Sequence, residues 1–184
     1  ANLKSVAGIV VTGGFGIRGL EGKIMAADYA RKNKIPYLGL CLGMQMMTIA
    51  FAREVLKNNK LTSEEYDEND QKLTKDHYVI HFLPGQHKNR AKGGTLRLGS
   101  YPCRLTPGTK TAKLYGNVSL IHERHRHRFE FNNDFREILE KNGLIVSGVY
   151  EKDNLVEIVE LKDHPFMIGT QFHPEFLSRP NKPH

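Results

Sequence analysis

Residues 35–56 confine the fold more than any other stretch. An apolar run, Ile35 to Leu40, meets Gly39-Leu40-Cys41-Leu42-Gly43, and Leu42 to Leu56 then reads as a helix that is apolar at its start and charged at its end. A strand that bends sharply into a helix needs small residues two before and two after the bend, because side chains there would collide across it. The spacing Gly39-x-Cys41-x-Gly43 meets that need and puts a thiol at the apex. Ile35 to Ala52 is also the only stretch greasy enough to suggest a membrane span. Pro36, Gly39, Gly43, Gln45 and Thr48 make strand, turn and helix start the better reading.

The same rhythm occurs upstream. Val6 to Val11 is a β-branched run stopped by Gly13-Gly14, and Leu20 to Asn33 is amphipathic, with Leu20, Ile24 and Ala27 on one stripe. Strand, helix, strand, helix predicts parallel βαβ units and an α/β fold: a three-layer sandwich with a central, mostly parallel sheet flanked by helices, plus a few antiparallel strands. Downstream, 58–76 reads as a polar excursion and 85–94 as a basic loop. His77 to Leu83 alternates weakly. Short strands with turns are expected over 95–105 and 118–131, further strands over 144–150, 155–161 and 166–172, and a helix over 132–142 with an Asn/Asp start and Gly143 as its stop. Asp153-Asn154 signals a hairpin. A chain of 184 residues with 39% hydrophobic and 26% charged residues is long and apolar enough for one domain, 1–184, with its own core. No secretory signal pattern opens the sequence, and two cysteines make no disulfide framework, so a cytoplasmic protein is expected.

Free cysteines are most often small buried hydrophobes. Cys103, in Tyr101-Pro102-Cys103-Arg104, has no turn signature and is read that way. Cys41 has both glycines and a strand-to-helix setting, which point to a nucleophile. The helix N-terminus would favour its thiolate, and the Leu42 N–H would face a developing oxyanion. A nucleophile needs a base and the base an orienting group. Phe172-His173-Pro174-Glu175-Phe176 follows an apolar strand, and in extended chain His173 and Glu175 share a side. Gly13-Gly14-Phe15-Gly16 should lie beside the cysteine turn, because parallel strands deliver their C-terminal ends to one edge. Gly14 could supply a second oxyanion donor. Gly14-x-Gly16-x-x-Gly19 could instead cradle phosphate, a weak match standing alone.

Three strings in order, GGFGIRGLEGK (13–23), GLCLGMQ (39–45) and QFHPEF (171–176), with RHRHRFE (124–130) and LSRP (177–180), resemble the glutamine amidotransferase domain of the CTP synthase family. Looser forms of the first, second and last are shared by class I triad amidotransferases. The resemblance covers essentially the whole chain. It implies that Cys41 attacks the side-chain amide of L-glutamine, that His173 serves as acid and base, and that Glu175 orients it. Gly14 and Leu42 would line the acyl site through backbone groups, with Gly43, Met44 and Gln45 continuing that wall. Phe15 would cover the substrate or an adjoining effector region. Glu65, or else Glu64, would take the α-amino group and Arg128 the α-carboxylate. Where the family often has Pro before the glycine pair, this chain has Thr12.

The resemblance further implies that ammonia passes to a synthetase domain of the same full-length chain, where UTP is aminated with ATP and Mg²⁺ and GTP activates. A homotetramer is implied for the full protein. No cofactor and no metal is expected in this domain, and the synthetase machinery is absent from it. The family's domain begins with a further strand and helix ahead of the position of Ala1, so part of a longer chain is expected. The segment Lys88-Asn89-Arg90-Ala91-Lys92 reads as solvated, or as bordering the interface where GTP or the synthetase domain docks.

Three other readings were weighed. His122, His125 and His127 make poor metal ligands with Arg124, Arg126 and Arg128 interleaved; the run reads as an anion-facing strand, part substrate clamp and part solvated charge. A formal charge of +7 permits a basic nucleic-acid-binding module, but no binding signature appears and no aromatics are interleaved as stacking platforms, so neither nucleic acid nor membrane is expected as partner. A class I amidotransferase serving GMP synthesis is the enzymatic alternative, and the RHRHRF string speaks against it.

Overall fold

A computed structural model describes residues 3–69, 73–83 and 96–184. The chain runs β1 (Ile9–Val11), α1 (Leu20–Asn33), β2 (Tyr37–Leu40), α2 (Leu42–Leu56), β3 (Thr62–Ser63), β4 (Tyr78–Phe82), β5 (Arg97–Leu105) and α3 (Lys110–Leu114). It continues through β6 (Leu120–His127), β7 (Phe129–Phe131), α4 (Arg136–Lys141), β8 (Leu144–Tyr150), β9 (Leu155–Leu161) and β10 (Met167–Thr170). Both predicted long helices form over the expected residues. The expected 132–142 helix is a 3-10 turn, Asn133–Phe135, followed by α4, and the Asn132 side chain accepts the Asp134 N–H at 3.0 Å as the predicted cap. The basic loop with Lys88, Arg90 and Lys92 lies outside the described residues.

Among the described residues the main sheet has the order β1-β2-β10-β9-β8-β5-β6, and β3-β4-β7 form a second, small sheet. The α/β class stands, but the balance within the sheet differs from the expected mostly parallel one. Pairing is parallel only from β1 through β2 to β10 and antiparallel from β10 onward. Parallel neighbours need long crossovers. Helix α1 supplies the one from β1 to β2, and the one from β2 to β10 begins with α2 and runs through all the elements between, whereas β8 and β9 are joined by four residues ending at Asn154, which takes φ 52°.

The two layers flanking the sheet are unequal. On one face α1, α2, α4 and the small sheet share the large core, and α2 is buried throughout Leu42–Ala52. Met44, Met46 and Met47 are fully buried, as core packing predicts, each contributing about 2 kcal/mol relative to exposure. On the other face Cys103, Leu105, Ile121, Ile158, Ile168 and Phe172 pack beneath Ala112 of α3. Glu160 holds α3 there by accepting the Lys110 and Thr111 N–H groups, each at 2.9 Å. Cys103 is wholly buried, consistent with its structural reading.

The register does the positioning. Val11 pairs with Gly39, Gly39 with Gly169, and Leu40 with Thr170, so three parallel strands end side by side. The loop after β1, the bend after β2 and the segment after β10 therefore leave the sheet at one edge.

Candidate active site

Cys41 occupies the bend between β2 and α2 at φ 51°, ψ −101°, a conformation that L-residues rarely hold. Its N–H donates to Thr170 O at 2.7 Å, and its carbonyl accepts the Gln45 N–H at 3.2 Å. The flanking glycines are sterically required. A Cβ on Gly39 would sit 2.5 Å from the Gly43 carbonyl carbon, and one on Gly43 would sit 2.0 Å from Val11 O. The expected crowding two residues either side of the thiol is thus present.

The chain beyond β10 carries the imidazole. His173 Nδ1 lies 2.7 Å from Glu175 Oε1, Phe176 stacks on the ring at 4.4 Å, and the His173 N–H donates to Arg124 O at 2.8 Å. With Nδ1–H committed to the carboxylate, the neutral tautomer leaves Nε2 as an acceptor. Nε2 is buried and has no hydrogen-bond partner among the described residues. The ring edge abuts the loop after β1, since a Cβ on Gly13 would meet His173 Cε1 at 2.6 Å. One on Gly14 would meet Leu42 Cδ2 at 3.2 Å. Gln171, two residues before His173, donates its amide to Cys41 Sγ at 3.5 Å. Thiol, imidazole, glycine loop and the first turn of α2 thus converge.

Electrostatics correct one expectation. The helix N-terminus was to favour the thiolate, but burial pushes the Cys41 thiol up to about 12. The Leu42 N–H pulls the other way, the Glu175 and Glu65 carboxylates add to the rise, and the Gln171 amide lowers it. Cys41 is only 3% exposed, and loss of water outweighs the two N–H donors. The thiol thus rests protonated, and a neighbouring base is needed to take its proton.

The remaining predicted site residues divide. Glu65 Oε1 accepts the Gly16 N–H at 2.9 Å, whereas Glu64 Oε2 is taken by the Phe82 N–H at 2.9 Å on β4. Glu65 thus faces the glycine loop and Glu64 does not. The same contact disfavours a phosphate cradle, because a carboxylate occupies the Gly16 N–H. Phe15 stands out of the loop, 54% exposed, with the Arg126 guanidinium 5.9 Å from its ring centre. Arg128 lies at the break between β6 and β7, and its buried Nε has no partner among the described residues. Gly43 lies against Val11 and the Met44 side chain packs against Gly169, which leaves backbone groups as what these two could offer a substrate. Gln45 is buried and turned towards Phe129 O and Gln171.

The Arg/His run separates by parity. Along β6, Glu123, His125 and His127 point inward while His122, Arg124 and Arg126 point to solvent. That parts the three histidines considered as a metal trio, and among the described residues no group of three His, Cys, Asp or Glu side chains could hold a metal ion. The anion-facing reading therefore fits only the outward row. Burial drives His125 down to about 2 and His127 to about 3, with the Arg97 charge adding to both, so both are neutral. Sequence reasoning missed that His125 and His127 turn inward and that Gln171 reaches Cys41 Sγ. The period-2 rule already applied to His173 and Glu175 extends to position 171.

No helix among the described residues is long and apolar enough to cross a membrane. Comparison with known proteins agrees with the site. A family model described as glutamine amidotransferase class-I matches residues 1–184. The chain is 58% identical over 182 residues to a CTP synthase of Dehalococcoides mccartyi and 57% identical over 183 residues to one of Roseiflexus sp. (strain RS-1). Each alignment covers 99% of this chain and 32% of the relative, so the chain spans about a third of those proteins. The glutaminase domain of Trypanosoma brucei CTPS, solved with bound acivicin, superposes with a TM-score of 0.86 at 37% identity, covering 97% of this chain and 67% of that one. A Thermotoga maritima glutamine amidotransferase, at 16% identity and a TM-score of 0.57 over 94% of this chain and 58% of that one, shares the fold. The chain belongs to the class I glutamine amidotransferase family.

Proposed function

We propose that this chain is the glutaminase domain of a CTP synthase, hydrolysing L-glutamine through a thioester on Cys41. The observation that carries the reading is the convergence of a thiol on a strained strand-to-helix bend with an imidazole whose Nδ1 is bound to Glu175 at 2.7 Å. His173 Nε2 takes the thiol proton as sulfur attacks the amide carbon, and gives it to the departing ammonia. Glu175 keeps the tautomer correct and stabilises the imidazolium. The N–H groups of Leu42 and Gly14 receive the oxyanion. Water then attacks the thioester, His173 again moving the proton, and glutamate leaves.

A zwitterionic substrate needs one acid and one guanidinium. Glu65, already facing the glycine loop, takes the α-amino group. Arg128, whose Nε is buried and unsatisfied among the described residues, takes the α-carboxylate. On this reading the released ammonia serves the amination of UTP to CTP in a fused synthetase domain, and ATP, Mg²⁺ and the activator GTP belong to that full-length enzyme. None of the residues above is assigned to them.

The test is chemical. Acivicin, the compound bound in the Trypanosoma brucei domain, should add mass to Cys41 and leave Cys103 unmodified. Cys41→Ser in the full-length enzyme should abolish glutamine-driven CTP formation and spare formation from free ammonia. Loss of both in a folded variant, or labelling at Cys103, would overturn the assignment.

A further inference from the structure

The nucleophile is wired to a buried polar chain that the mechanism above does not use. Gln171 Nε2 lies 3.5 Å from Cys41 Sγ. Gln45 Nε2 lies 3.2 Å from Gln171 Oε1 and 3.1 Å from Phe129 O. His127 Nδ1 lies 2.9 Å from the same Phe129 carbonyl, and His127 Nε2 lies 3.0 Å from His125 Nδ1. All four side chains are buried, Gln171 at 1% exposure and Gln45 at 3%. Backbone bonds hold both ends, Gln171 N–H to Glu157 O at 2.8 Å and Cys41 N–H to Thr170 O at 2.7 Å.

The chain fixes which way each amide points. A carbonyl oxygen only accepts, so the end of Gln45 that faces Phe129 O is its NH₂. Its other hydrogen falls on Gln171, which must offer its oxygen there and hence its own NH₂ to the sulfur. Turning Gln171 over would set NH₂ against NH₂ in a dry interior, and turning Gln45 over would set oxygen against a carbonyl. His127 adds a second donor to Phe129 O, so that oxygen has both lone pairs engaged.

We propose that Gln171 is a further catalytic residue of this site, presenting an N–H to the Cys41 sulfur in an orientation imposed through Gln45, Phe129 O and His127, and so supporting the thiolate as it forms. The inference builds on the reading of Cys41 as nucleophile. The Glu175 and Glu65 carboxylates oppose charge on the sulfur, and the Tyr66 hydroxyl also lies within its field. The Leu42 N–H and the Gln171 amide are the groups that favour it. Behind the chain, His125 faces Arg97 at 3.3 Å and Glu157 at 3.6 Å. In so dry a setting a donor to an anionic sulfur counts for more than it would in water.

The experiment is the pH dependence of Cys41 alkylation by iodoacetamide in the full-length enzyme, followed by mass spectrometry of the Cys41 peptide. Gln171→Met removes the N–H without adding charge. It should move the alkylation midpoint to higher pH and slow the reaction about tenfold at pH 7.5, a change of one pH unit in thiol titration. Gln45→Met should shift it in the same direction by less, because it frees the orientation and leaves the donor in place. It also keeps the proposal testable if Gln171→Met fails to fold. A wild-type alkylation profile in a folded variant of either kind overturns the proposal, since a merely structural glutamine pair would leave thiol titration unmoved. Failure here is separable from failure of the nucleophile reading. If Cys41→Ser abolishes glutamine hydrolysis while Gln171→Met alkylates normally, only the role of Gln171 falls.

Discussion

A single methyl group on Gly13 should disable hydrolysis with little effect on the fold. The Cβ of Gly13→Ala would lie 2.6 Å from His173 Cε1, 3.4 Å from Nδ1 and 3.5 Å from Nε2. Ordinary van der Waals contact begins near 3.4 Å, so the ring must retreat by about 0.8 Å. Its exits are guarded. Phe176 stacks on one face with rings 6° from parallel, Glu175 holds Nδ1 at 2.7 Å, and the backbone N–H is fixed to Arg124 O. Moving the imidazole therefore either breaks the Glu175 bond or unstacks Phe176, and both misplace Nε2. A displacement near 1 Å at a reacting centre costs about 10²-fold. Overpacking costs stability about 1–3 kcal/mol, less than a folded domain's margin. We expect glutamate release by the full-length Gly13→Ala enzyme to fall about 100-fold in kcat with a small change in KM, because Glu65 and Arg128 are untouched. Ammonia-driven synthesis should be preserved and thermal melting lowered by a few degrees. Glutamine turnover within about threefold of wild type would refute the argument, since it would mean that His173 is not held in working position by this packing.

Two further perturbations test other parts of the site and core. Arg128→Ala should raise the KM for glutamine at least about tenfold, the order expected for removing a charge-assisted bond, and leave ammonia use intact. Unchanged glutamine kinetics would return Arg128 to a structural role. Glu130, 2% exposed on β7, has its carboxyl raised to about 8, first by burial and then by the Glu157 charge. A raised carboxyl binds its proton more tightly folded than unfolded, so the stabilisation is complete below about pH 4.5 and is lost as pH rises towards 8. The loss at pH 8 is on the order of 4 kcal/mol. Glu130→Gln should therefore melt much like wild type at pH 5 and above it at pH 8, and parallel melting curves at the two pH values would refute the assignment.

The elements legible in the sequence are those whose cause is local. Leu20–Asn33 and Leu42–Leu56 carry their helical stripe or apolar density within themselves, and the cysteine bend carries its steric requirement in two glycines. Which strands pair was not local. A strand's own residues do not announce whether a neighbour runs parallel or antiparallel, and that choice follows from the length of connection. The same limit applies to charge. Residues around Cys41 showed a helix N-terminus but not the loss of solvent that overrides it, nor the Glu175, Glu65 and Gln171 side chains that act on the thiol from distant segments.

The clearest case is β6, where one string serves two purposes. Read by composition, Arg124 to Arg128 is a cationic run. Folded, its inward row reaches the active site from behind through His127 and Phe129 O, and its outward row sets Arg126 beside Phe15 on the glycine loop. The two rows are kept apart by a register that pairs His125 with Gly99 and Arg124 with Ser100. A slip of one residue would bury Arg124 and Arg126 beside Arg97, which already occupies the interior with Glu157 at 2.5 Å and lies 4.3 Å from the Tyr101 ring centre. Three guanidinium groups against the two buried carboxyl groups of Glu157 and Glu130 would leave at least one buried charge unpaired, at a cost of several kcal/mol. The arginines that suggest an anion-binding surface thus also enforce the strand register that puts the histidines behind the nucleophile.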